Sequence, residues 1–196
     1  IFDQTTTYDI VSVLVDADVA GSGQIWYLDD FEYTPSFVCS VSTASVVATW
    51  ESSDASGASA VPFEGAQAST ETAPNLSYSG NARSLKITKP QSAQPWAGVT
   101  LLKNRCVDYS VGGTVTANVF TSAAGQDLTL KLEGAGIAPS EIHADATIGA
   151  GWQRVTWTLT GVTGPKTKIS LFPAFLTAAS GQIVYVDDLA FNGGST

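Results

Sequence analysis

Positive charge is scarce in this chain: nine Lys and Arg stand against eighteen Asp and Glu, a formal net charge of −9 over 196 residues. Nucleic acid and anionic membrane both need clustered Lys or Arg, so this balance opposes them as partners. Long apolar runs are missing too, and none approaches the ~20 residues that span a bilayer as a helix. His143 is the only histidine, which leaves almost no material for a His-based triad or a zinc cluster. A glycosidase needs two carboxyls facing each other across a cleft. The acidic pairs Asp29-Asp30 and Asp187-Asp188 are adjacent in sequence, and neighbours on a strand point to opposite faces. Neither a Gly-x-Ser-x-Gly elbow nor a phosphate loop is present. We therefore expect no enzyme active site.

Methionine is absent, and the chain starts at Ile1 without a charged-then-apolar leader. It reads as a mature or excised segment. Few Lys among many Thr, Ser and Gly suggest an extracellular protein, secreted or at the cell surface. Cys39 and Cys106 are an even pair. They form either a disulfide or two separate buried thiols. Asn75-Leu-Ser77 is a glycosylation sequon if the source glycosylates.

What the chain does contain is a repeat. Ser22-Gly-Gln-Ile-Trp-Tyr-Leu-Asp-Asp-Phe-Glu-Tyr33 returns as Ser180-Gly-Gln-Ile-Val-Tyr-Val-Asp-Asp-Leu-Ala-Phe191, with seven of twelve positions identical. The same offset carries Val11–Leu14 onto Ile169–Phe172. Such spacing marks a modular array. Residues 1–36 read as the last strand pair of a preceding module, or as strands given to a neighbour. Residues 37–43 read as a linker and 44–196 as one complete module. Two strands are not stable alone, so residues 1–35 are expected to dock on a module or subunit.

Period-two alternation dominates, and no long amphipathic helix appears. Strands are expected over Ile10–Val15, Ile25–Tyr33, Ser45–Trp50, Ser84–Thr88, Val99–Leu102, Thr114–Thr121, Leu128–Glu133, Arg154–Thr160, Lys168–Phe172 and Ile183–Phe191. Gly-rich turns separate them, and Ser52–Ala60 reads as a surface loop. This spacing predicts an all-β fold, an antiparallel β-sandwich. Alternation sends Val115, Ala117, Val119, Leu128, Leu130, Leu132, Val155, Trp157, Leu159, Ile169 and Leu171 to the core. The opposite face then carries Asn118, Phe120, Lys131, Glu133, Ser170 and Phe172, with Trp96 opposite Val99 and Leu101. Aromatic rings cover the C–H face of a sugar, while amide, amine and carboxylate groups bind its hydroxyls. Trp96, Asn118, Phe120, Lys131, Glu133 and Phe172 are thus candidate ligand-binding residues. The other reading is a second small core under loops or a neighbouring module. The net charge opposes strongly anionic glycans.

The order of motifs from Trp50 onward adds to this. Thr49-Trp-Glu51 is followed by Pro62-Phe-Glu-Gly65, Ser79–Thr88, Trp96-Ala-Gly-Val-Thr-Leu101, Leu130-Lys-Leu-Glu133, Gly151-Trp-Gln-Arg-Val-Thr-Trp157 and Tyr185-Val-Asp-Asp-Leu-Ala-Phe191. The series resembles the jelly-roll carbohydrate-binding modules of the galactose-binding-like superfamily, found in tandem in secreted bacterial polysaccharide-degrading enzymes. The resemblance implies a five-plus-four-stranded sandwich, no catalysis and, in many members, a structural calcium ion held by an early Glu and a late Asp. The matching positions are Glu51 or Glu64, and Asp187 or Asp188. The last strand supports one part of this: Asp187 shares the parity of Ile183, Tyr185, Leu189 and Phe191. A carboxylate on an apolar face must bind metal or accept backbone N–H groups at a β-bulge.

Two functions follow from these readings. One is a non-catalytic module that targets an attached enzyme to a polysaccharide. The other is a structural repeat of an adhesin, surface layer or filament, with residues 1–35 pairing with a neighbouring unit.

Overall fold

The computed structural model describes residues 46–51, 59–75, 82–108, 113–134, 137–143, 148–159 and 165–193. The chain divides into two compact units, Ile1–Val38 and Cys39–Thr196, and all the described residues belong to the second. The expected strands in 1–36, the linker and the Cys39–Cys106 pairing lie outside them.

Every element among the described residues is a strand. In chain order they are β1 (Val46–Ala48), β2 (Ser59–Phe63), β3 (Gln67–Thr72), β4 (Arg83–Lys89), β5 (Gly98–Asp108) and β6 (Gly113–Thr121). Then come β7 (Leu128–Gly134), β8 (Ile137–His143), β9 (Gly151–Leu159), β10 (Pro165–Pro173) and β11 (Gln182–Gly193). One antiparallel sheet runs β3-β4-β11-β6-β9, with β1 also on β11. The other runs β2-β5-β10-β7-β8. The fold is a jelly-roll β-sandwich, with six and five strands among the described residues rather than five and four.

Alternation explains the packing. Val115, Ala117, Val119, Val155, Trp157 and Leu159 face inward from the six-stranded sheet. Val99, Leu101, Leu128, Leu130, Leu132, Ile169 and Leu171 meet them from the five-stranded one. Trp157 ties the layers together, its Nε1–H donating to the Leu128 carbonyl at 3.2 Å.

Three strands escape the sequence pattern: β2, β3 and β8. Each lies at a sheet edge. An edge strand pairs on one side only and tolerates breaks in the pattern, such as Pro62 in β2 and Pro139 in β8. Ser59 and Ala60, expected in a loop, begin β2, and His143 ends β8.

Gly98 shows how tightly the five-stranded sheet is covered. A Cβ there would lie 2.5 Å from the Leu171 carbonyl oxygen and 3.0 Å from the Phe63 ring. Gly98→Ala is therefore expected to lower stability by roughly 1–3 kcal/mol. A urea midpoint equal to that of the parent would contradict this.

Candidate functional site

The face expected from alternation divides in two. Asn118 and Phe120 sit on β6 in the six-stranded sheet, whereas Lys131, Glu133 and Phe172 sit on β7 and β10 in the five-stranded sheet. Parity places a residue inside or outside the sandwich but does not say which sheet its strand joins. Outward residues of the two sheets lie on opposite sides of the molecule. Phe172 is only 5% exposed, with Phe63 at 5.5 Å and Phe175 at 4.9 Å between ring centroids. It is a covered ring rather than a platform, the second small core weighed above. Lys131 is half-buried beside Ser170. Glu133 pairs with Lys168 in the backbone register, and its side chain is outside the described set. Trp96 is 46% exposed but belongs to the loop before β5. That loop meets the turn after β10, where the Leu176 N–H donates to the Pro95 carbonyl at 3.0 Å.

The outer face of the six-stranded sheet is built differently. The strand registers align Ser69, Lys86, Tyr185, Phe120 and Trp152 in one transverse row over β3, β4, β11, β6 and β9. The three rings touch: Tyr185 to Phe120 is 5.9 Å and Phe120 to Trp152 is 5.6 Å between centroids, at interplanar angles of 75° and 51°. All three are half-buried. The Trp152 Nε1–H donates to the Pro74 carbonyl at 2.6 Å, which fixes one end of the row. At the other end the Lys86 ammonium lies 6.0 Å from the Tyr185 centroid and 3.2 Å from a Glu71 carboxylate oxygen. A hydrogen bond from Ser69, then the Lys86 contacts, hold the Glu71 carboxyl below its ordinary pKa.

Beside the rings runs a polar chain. Asn118 Nδ2 donates to Asp188 Oδ2 at 3.0 Å. Its Oδ1 therefore faces Arg154, whose two terminal nitrogens donate to Asn118 Oδ1 at 3.1 Å and Thr116 Oγ1 at 2.6 Å. Trp152 and Arg154 were accessible to parity, because Val155, Trp157 and Leu159 point inward. Tyr185 was not. The Asp187–Asp188 step is a β-bulge, with a register shift before Ala190 and a positive φ of 46° at Asp188. The extra residue resets the alternation. Val184, Val186 and Leu189 are thus the core residues, while Ile183 and Tyr185 face outward, against the parity expected for this strand.

The four candidate calcium ligands do not gather. Asp187 is fully buried, and its Oδ1 accepts the Asp188 backbone N–H at 2.8 Å. Asp188 accepts Asn118, and Glu51 Oε1 accepts the Arg83 backbone N–H at 2.7 Å. Glu64 is exposed in the turn after β2, at a φ of 55°. Among the described residues no three His, Cys, Asp or Glu side chains come together. Calcium takes six to eight oxygen ligands, and three of the four carboxylates each give an oxygen to an N–H donor here.

One cation went unnoticed in sequence. Lys89 continues the inward parity of Leu85 and Ile87 and is fully buried. Its ammonium donates to the carbonyls of Pro95 at 2.6 Å, Ala174 at 2.8 Å, Pro173 at 3.1 Å and Thr177 at 3.2 Å. It joins the loop bearing Trp96 to the turn bearing Leu176. Burial pushes its pKa below the usual lysine range.

Neither a protein-family model nor a curated protein sequence matches the chain. Solved structures do. A family 29 carbohydrate-binding module is 16% identical, covering 78% of this chain and 92% of that chain, with a TM-score of 0.50. The family 22 xylan-binding domain from Paenibacillus barcinonensis is 12% identical, covering 78% and 96%, with a TM-score of 0.51. Its fold is the jelly roll of these modules. The cleaved adhesin domain of Lys-gingipain from Porphyromonas gingivalis shares that jelly roll, at 12% identity, 78% and 99% coverage and a TM-score of 0.51.

Proposed function

We propose that this jelly roll is a non-catalytic extracellular carbohydrate-binding module that holds an attached enzyme on a polysaccharide. The observation that carries the reading is the transverse row Lys86–Tyr185–Phe120–Trp152, flanked by Asn118, Asp188 and Glu71. Half-exposed rings supply apolar contact with sugar C–H faces, and the polar groups beside them supply hydrogen bonds to hydroxyls. The interplanar angles of 75° and 51° give no single flat plane to lay on a crystalline surface. A separate, soluble chain follows such a tilted row. Few contacts must offset the ordering of a flexible polymer, so a dissociation constant on the order of 10–1000 μM is expected.

Affinity electrophoresis against soluble β-glucans, xylan and agar tests the reading. Retardation by at least one is expected. Unretarded migration in all of them would favour the structural-repeat reading instead.

We infer that Asp187 and Asp188 hold the bulge that turns Tyr185 outward, and that they do so without calcium. Chelator is accordingly expected to leave the melting temperature unchanged. A fall that calcium reverses would contradict this, since a ligand bound only by the folded state raises its stability.

A further inference from the structure

The guanidinium of Arg154 is oriented but not neutralised. Its hydrogen-bond partners are neutral: an amide oxygen and a hydroxyl. The Lys86–Glu71 ion pair stands at the far end of the row. The side chain is exposed. It lies two residues from Trp152 on the same outward face of β9, about 7 Å along the strand, and its strand neighbour on β6 is Asn118. The support beneath it is deep. Asn118 is 3% exposed, and the Asp188 carboxylate fixes which way its amide points. A guanidinium has five N–H donors in a planar fork. Two terminal N–H groups are used for orientation, which leaves three to meet a ligand. A planar fork held beside an aromatic ring suits a carboxylate on a sugar stacked there.

We propose that Arg154 is a specificity-determining residue of this face, and that the preferred ligand is an otherwise neutral glycan carrying scattered uronate carboxylates. The proposal rests on the carbohydrate-binding reading and narrows it. The net charge of −9 does not oppose it, because charges beyond about 8 Å are largely screened at physiological ionic strength. A carboxylate touching Arg154 meets the guanidinium first, whereas a densely charged polyanion meets the field of the whole chain.

Matched polymers test this. One pair is glucuronoxylan and its carboxyl-reduced form. The second is a soluble β-glucan before and after partial oxidation of its C6 hydroxymethyl groups to carboxylates. In at least one pair the parent is expected to bind the carboxylated member roughly tenfold more tightly, the lower end for charge-assisted hydrogen bonds. Arg154→Gln is expected to bring that ratio to about one. Thr116→Val, which keeps the charge but removes one of its two anchors, is expected to reduce it several-fold. Equal binding of both members by the parent would overturn the inference and leave the carbohydrate reading standing. So would a ratio that survives Arg154→Gln, or discrimination shown for a sulfated polymer over its desulfated form and for neither carboxylate pair. Binding of no member of either pair, nor of any neutral glycan, would remove both.

Discussion

Lys89→Met is expected to lower the stability of the module by about 2–4 kcal/mol. Met keeps the length and apolar stem of lysine but removes the donor that four backbone carbonyls share. Buried acceptors left without a donor cost about 1–3 kcal/mol each. The loss is partly offset, because an ammonium no longer has to be taken out of water, the same desolvation that lowers its pKa. The carbonyls come from the loop before β5 and the turn after β10, so both should loosen together. In urea the midpoint should fall while the slope stays the same. For a domain of this size the melting temperature should drop by about 10 °C. An unchanged midpoint would mean that the small apolar contacts of Ala66, Ala93 and Ala97 hold the loops without the ammonium.

Trp152→Ala is expected to abolish glycan retardation while the sandwich stays folded. Trp152 is half-buried on an edge strand, outside the main core, and its indole packs on Phe120. Removing it deletes one end of the ring row and releases Phe120 from one side. Loss of a ring's apolar contact with a sugar is worth about 1.5–2 kcal/mol, a factor of ten or more in affinity. A site that starts in the micromolar-to-millimolar range then falls below what a gel retains. Circular dichroism and a melting temperature close to the parent's separate this loss from unfolding.

The core was legible because its residues alternate cleanly on central strands. Val115, Ala117 and Val119, and likewise Leu128, Leu130 and Leu132, are all fully buried as their parity requires. The proposed binding face was legible only in part. Asn118 and Phe120 lie on that face as parity placed them, because β6 is regular throughout. Trp152 and Arg154 follow the same rule on β9 but were not drawn from it. Tyr185 was hidden by the bulge at Asp187–Asp188, since the apolar residues on its two sides belong to different registers. Phe172 and Lys131 were grouped with Phe120 because parity along a strand carries no information about sheet membership. That assignment depends on long-range pairing, here β10 with β5 and β7. Lys89 was legible by position and was passed over by type. A lysine at an inward position is stable only where backbone carbonyls converge, and these carbonyls come from residues up to 88 positions away.

Affinity electrophoresis of three proteins in one glycan-containing gel tests the central claim most directly: the parent, Trp152→Ala and Trp96→Ala. The two tryptophans stand on different parts of the molecule, one in the ring row of the six-stranded sheet and one in the loop held by Lys89. The outer face of the six-stranded sheet as binding surface predicts retardation of the parent and of Trp96→Ala, and free migration of folded Trp152→Ala. Retardation of Trp152→Ala together with free migration of Trp96→Ala would contradict it and move the site to the loop.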